Sequence, residues 1–153
     1  MNQELITLKQ HLQETCKSLV KEKITALQNN LKGFQDAANE ETKSSAGDKY
    51  ETGRAMMHLE KEKVAHALNE VLKQKKVLDQ LGVKAQEEGS LGSLIETDKG
   101  YFFLSASLGK VAVDGLQIMC LSPVAPLGKA FLGTKKDDLI TFNTVSYTIY
   151  AIA

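Results

Sequence analysis

The chain has no tryptophan, only two prolines and two cysteines, and no net formal charge. Each scarcity excludes something. Both prolines, Pro123 and Pro126, come late, so no proline breaks a helix in the first half. Nineteen basic residues balance nineteen acidic ones, which argues against a bulk electrostatic nucleic-acid binder. No apolar run approaches the roughly 20 residues of a membrane span. Residues 1–10 lack the apolar core of a secretion signal, so a cytoplasmic protein with no membrane partner is expected. Cys16 and Cys120 lie far apart in the sequence. Two buried, reduced thiols suit a cytosolic protein better than a lone disulfide. The apolar fraction, 42%, is ordinary for a folded chain. A length of 153 residues suits one ordinary domain or two small ones.

What is present begins with helical periodicity. Between Gln3 and Asn39 the only glycine is Gly33. Leu5, Leu8, Leu12, Cys16 and Leu19, then Ile24, Leu27, Leu31, Phe34 and Ala38, recur mostly three or four apart. That is the apolar seam of an amphipathic helix, and it slips by one near Val20. Met57, Val64, Leu68, Val71, Leu78 and Leu81 mark a second seam, closed by Gly82. Residues 1–82 therefore read as an antiparallel helical hairpin, coiled-coil in character, with an acidic tip near 44–51. About 33 residues at 1.5 Å each give a rod of roughly 50 Å. A rod of that length is expected to extend from the rest of the chain as a monomer. A homodimeric coiled coil, with the seam completed by a second chain, is the other reading of the same periodicity.

After Gly82 the pattern changes. Residues 83–93 carry Gly89, Ser90, Gly92 and Ser93 and read as a linker. Six β-rich runs follow: 93–97, 101–105, 110–113, 116–121, 139–143 and 145–152, with turn signals at Asp98-Lys99-Gly100 and Asp114-Gly115. One segment interrupts them. Ser122 fits an N-cap, Pro123 a first helical turn and Gly133 a helix end. The fold class is α+β, with residues 83–153 forming a small antiparallel β domain with one short helix, packed against the base of the hairpin.

Chemistry-bearing residues are few. Asp48 and Glu51 are three apart at the start of the second helix, the spacing of a capping box. The same two carboxylates can share a divalent cation. Magnesium accepts one or two carboxylates plus waters and substrate oxygens, so such a tip would complete a site that another macromolecule half provides. His58, Glu62 and His66 share a helical face but lack a third close ligand set, and read as a solvated face. Gly89–Ser93 lacks the lysine and following helix of a phosphate loop. No Ser/His/Asp or Cys/His nucleophile set stands out, so intrinsic catalysis is not expected.

Two segments carry a family likeness. Gly47-Asp48-Lys49-Tyr50-Glu51 resembles the Gly-Asp-x-x-Glu of the Gre family of bacterial transcript-cleavage elongation factors. Ser122-Pro123-Val124-Ala125, through Lys129-Ala130-Phe131-Leu132-Gly133 to Asp138, resembles that family's Ser-Pro, short helix, Leu-x-Gly and charged turn. The resemblance implies an FKBP-like C-terminal domain docked at the rim of the RNA polymerase secondary channel, with Ser122 and Pro123 as contacts. It implies a hairpin that enters the channel, where Asp48 and Glu51 help hold the second catalytic magnesium, with the RNA 3′ end as a further contact. No tightly bound cofactor is implied, only magnesium shared with the polymerase. The polymerase, not this chain, would then be the enzyme that cleaves backtracked RNA.

The next residues, Thr52-Gly53-Arg54-Ala55, depart from the family's Asn-Ala-Glu-Tyr. On that departure rests a second reading, a Gre-like polymerase regulator that does not cleave. A reading of another class is a coiled-coil structural or adaptor protein with a β head.

Overall fold

The computed structural model describes residues 2–41 and 47–153; for residues 38, 40, 41 and 47–51 it describes the backbone alone. Two long helices come first, α1 (Gln3–Glu41) and α2 (Gly47–Gln80). Asn2 caps α1, its side-chain oxygen accepting the Leu5 N–H at 3.1 Å. Six strands follow, β1 (Leu94–Thr97), β2 (Gly100–Leu104), β3 (Gly109–Val113), β4 (Leu116–Leu121), β5 (Leu139–Phe142) and β6 (Val145–Ile152). A short helix, α3 (Pro126–Phe131), sits between β4 and β5. This is the expected α+β order, and the strand bounds agree with the sequence reading to within a residue. Among the described residues, no helix is long and apolar enough to cross a membrane.

The chain divides into two compact units, Leu19–Lys73 and Met1–Ser18 with Gln74–Ala153. Secondary structure changes type between Gln80 and Leu94, but the compact units divide within the helices. The reason is burial. Leu5, Leu8, Lys9, Leu12, Gln13, Cys16 and Val20 are all buried on α1, a wider stripe than a two-helix seam needs. Further along, Ile24, Leu27, Leu31 and Phe34 are only half-buried, as are Met57, Val64, Leu68 and Val71 on α2. Two helices cannot enclose a seam by themselves, so each of these side chains keeps one flank in water. Only residues 42–46 separate α1 from α2, so the chain reverses between them, and Lys61 on α2 donates to Gln35 on α1 at 3.4 Å.

In the other unit the strand order is β3-β4-β2-β1-β6-β5. All neighbours pair antiparallel except β2 and β4, which run parallel from Tyr101↔Ile118 to Leu104↔Leu121. This departs from the all-antiparallel sheet expected from the sequence. The chain leaves β2, passes to the outer edge as β3, and returns through a tight turn as β4 in the gap between them. That turn, Asp114-Gly115, has φ of 51° and 77°, a type I′ geometry that suits the sheet twist. Asn143-Thr144 repeats it between β5 and β6 with φ of 47° and 66°.

Alternation along the strands gives the sheet two buried faces. Ile95, Phe102, Leu104, Leu121 and Ile149 pack with Phe131 of α3. The rings of Phe102, Phe131 and Tyr147 meet at centroid distances of 4.8, 5.6 and 5.7 Å. Leu94, Phe103, Ile118 and Cys120 alternate to the opposite face and are at most 1% exposed. Cys120 on that face touches Cys16 of α1. The base of the hairpin thus covers the face that α3 leaves open.

Candidate functional site

Asp48 and Glu51 are the second and fifth residues of α2. Positions three apart on a helix share a face. Because α2 begins at Gly47, Asp48 lies inside the first turn rather than before it, as the capping-box reading required. Acidic residues in that turn complement the positive end of the helix dipole. The remainder of the expected tip, residues 44–46, lies outside the described residues, as do the side chains of Asp48 and Glu51. The departing segment Thr52–Ala55 continues the helix, with Thr52, Arg54 and Ala55 exposed.

Ser122 and Pro123 form a tight turn between β4 and α3. The Ser122 carbonyl accepts the Ala125 N–H at 3.1 Å, and its hydroxyl oxygen accepts the Val124 N–H at 3.2 Å. Pro123 occupies the second position of that turn, where its fixed φ is favourable. The expected cap is therefore displaced. Ala125 is the N-cap, without a side-chain bond, and Pro126 opens the helix. Ser122 is spent on its own turn instead of on the helix end.

The turn is pinned from beneath. A Cβ on buried Gly128 would stand 2.0 Å from the Ser122 carbonyl oxygen, so only glycine lets α3 approach this closely. Ser122 and Pro123 are half-buried, while Val124 at the turn's crest is 75% exposed. The arrangement is a fixed backbone bend with an exposed apolar residue at its crest.

The segment read as a linker is instead built in. The Gly89 N–H donates to the Thr134 carbonyl at 2.8 Å, and Gly133 N–H donates to the Gly89 carbonyl at 2.7 Å. A Cβ at Gly89 would fall 1.9 Å from the Phe131 carbonyl oxygen. Residues 88–89 thus lie directly against the end of α3.

His58 and Glu62 pair at 3.1 Å on a well-exposed face. Among the described residues, no three His, Cys, Asp or Glu side chains gather into a metal-binding group, so His66 completes no site with them.

Two polar features near the hairpin base escaped the sequence reading, as did the closeness of the two thiols that it expected to be buried. Lys9 is 1% exposed and donates to the Lys84 carbonyl at 3.0 Å. Burial lowers its amine to about 8. One turn on, Gln13 donates to the Gly82 carbonyl at 2.9 Å, so the two side chains clamp the chain as it leaves α2. His11 meets Asp114 of the β3–β4 turn at 2.6 Å. Its pKa is raised, first by that hydrogen bond and then by the charge of Asp114. The buried thiols of Cys16 and Cys120 lie 3.8 Å apart.

No family model matches the chain, and no curated protein does. The chain is similar to the solved structure of the transcription factor Gfh1, over 90% of this chain and 93% of that one, with 18% identity and a TM-score of 0.36.

Proposed function

We propose that this chain is a Gre-like transcription factor that binds RNA polymerase through the secondary channel and stimulates cleavage of backtracked RNA. One observation supports the reading above others. The Gly47-Asp48-Lys49-Tyr50-Glu51 pattern falls at the first turn of α2, just after the reversal from α1. Two carboxylates are too few for a complete magnesium cage, since that ion keeps an octahedral shell of oxygens. They fit the completion of a site whose other ligands come from the polymerase and the RNA. Magnesium held there would supply charge neutralisation and an activated water.

The contribution of this chain is positional. α2 carries Asp48 and Glu51 in register on one helical face. The Ser122-Pro123 turn, fixed by Gly128, would dock against the rim of the channel. Catalysis belongs to the polymerase, and this chain is not itself an enzyme.

A second reading is favoured by Arg54. It is exposed and follows Glu51 by three positions, which places a cation on the carboxylate face of α2. A cation there opposes metal binding and favours a regulator that occupies the channel without promoting cleavage.

The test uses halted, backtracked complexes of the cognate polymerase. The cleavage reading expects shortened transcripts on addition of the protein. Asp48→Asn with Glu51→Gln should remove at least nine-tenths of that stimulation while leaving polymerase affinity within about twofold. Tight binding without transcript shortening would transfer the assignment to the non-cleaving regulator. Absence of polymerase binding would end both.

A further inference from the structure

Cys16 and Cys120 lie 104 positions apart in sequence, yet their sulfur atoms are 3.8 Å apart in the fold. Both are free thiols, and their exposures are 0% and 1%. The contact joins the middle of the buried stripe on α1 to β4, one of the two strands beside β2. Directly across the ladder from Cys120 is Gly109. Opposed residues of an antiparallel pair share a sheet face, so the neighbour of Cys120 on that face has no side chain. A Cβ built at Gly109 would meet nothing within 4 Å. β3 is also an edge strand.

We propose that Cys16 and Cys120 are a redox modification site, closed by a hydroperoxide into a disulfide that staples α1 to β4. The inference stands on the thiol geometry and is independent of the polymerase reading. Cys16 is the first nucleophile. The contact between the two thiols, in which either sulfur can donate, holds the Cys16 thiol below its ordinary range and pushes Cys120 up. The Cys16 thiolate attacks one oxygen of hydrogen peroxide and the O–O bond breaks. The departing hydroxide takes up the proton lost from Cys16 and leaves as water. Cys16 is now a sulfenic acid, which condenses with a neighbouring thiol. Cys120 Sγ attacks the Cys16 sulfur, the S–O bond breaks, and hydroxide leaves with the Cys120 proton as a second water. Two thiols lose two electrons, and one peroxide becomes two waters.

Closure needs the sulfurs to move from 3.8 Å to the roughly 2.05 Å of a disulfide. Because both thiols are buried, the reaction is expected to be slow compared with that of an exposed cysteine.

The full-length protein is treated with hydrogen peroxide, quenched in acid, alkylated in denaturant and mapped by peptide mass without reductant. Both thiols should disappear together, the chain should stay monomeric, and a linked peptide pair bearing residues 16 and 120 should appear. Dithiothreitol should restore both thiols. In Cys120→Ala, which removes the resolving thiol, Cys16 should halt as a sulfenic acid that dimedone labels, and no linked peptide should form. Independent loss of the two thiols, cross-linked dimers, or thiols inert when folded but reactive in denaturant would overturn the proposal. If the alanine variant fails to fold, the wild-type protein still decides. Its oxidised form should unfold at a higher urea concentration than its reduced form, and an equal or lower midpoint counts against a native-state staple.

Discussion

Lys9 shows how a single residue can bind two segments at a measurable energetic cost. An ammonium on a surface helix is ordinary, but here α1 turns it toward the chain leaving α2, where it is 1% exposed. Its amine hydrogen-bonds to the Lys84 carbonyl, and among the described residues no carboxylate lies within ion-pairing distance of it. Desolvation then favours the neutral amine and lowers its pKa to about 8. The unfolded chain binds the proton up to about 10.4. Between those values the unfolded state holds more protons, so this group makes stability rise with pH. Urea unfolding at pH 7 and pH 10 should show wild type gaining on Lys9→Met by on the order of 2 kcal/mol, at about 1.4 kcal/mol per unit of pKa difference. Equal gains in both proteins would mean that Lys9 keeps an ordinary pKa. The clamp was not legible because periodicity assigns a lysine beside an apolar seam to water. Only the chain leaving α2, which accepts its hydrogen bond, turns that position inward. The two cysteines were legible as buried thiols, whereas their proximity depends on which strand faces α1.

At the scale of elements, the sequence reveals what each strand is better than what it pairs with. β-rich runs and the turn signals at Asp98-Lys99-Gly100 and Asp114-Gly115 marked the strands, and their observed bounds follow. Nothing in those runs says that β4 slips between β3 and β2, because a parallel neighbour leaves the same local pattern as an antiparallel one. The start of α3 was displaced for a related reason. Ser122-Pro123 satisfies the residue preferences of both a cap and a turn, and the close approach of Gly128 settles which one forms. Gly128→Ala places a methyl group against the Ser122 carbonyl oxygen, 2.0 Å from it without relaxation. Overpacking of this kind costs about 1–3 kcal/mol, so the urea midpoint should fall with an unchanged slope. If Ser122 and Pro123 contact polymerase, affinity should fall in the still-folded fraction too. Thr144 presents the opposite case. It is β-branched yet has φ of 66° in the β5–β6 turn, where glycine is preferred. Thr144→Gly should relieve that strain and raise stability by about 1 kcal/mol after the entropy cost of glycine, read as a higher thermal midpoint.

For the whole molecule, the decisive feature is that the sheet and the base of the hairpin form one compact unit, Met1–Ser18 with Gln74–Ala153. Sequence alone suggested a boundary near residue 82, where helix gives way to strand. Burial ignores that boundary. Leu5, Leu8, Leu12 and Cys16 supply apolar cover for one sheet face, while Lys9, Gln13 and His11 tie α1 to the outgoing chain and the β3–β4 turn. A fragment of residues 83–153 would expose Leu94, Phe103, Ile118 and Cys120, each at most 1% exposed in the full chain. At about 70 residues, such a domain has little stability to spare. A chain in which residues 24–72 are replaced by a short glycine-rich turn retains all of these contacts. It should unfold cooperatively in urea, with well-dispersed amide resonances, while residues 83–153 alone should lack both. On the proposed cleavage reading, the shortened chain should also give no stimulation of transcript cleavage, because Asp48 and Glu51 go with the removed segment. A cooperatively folded 83–153 fragment would show that the base of the hairpin is dispensable to the sheet. An unfolded shortened chain would show instead that the sheet depends on the outer helices, whose seam is only half-buried.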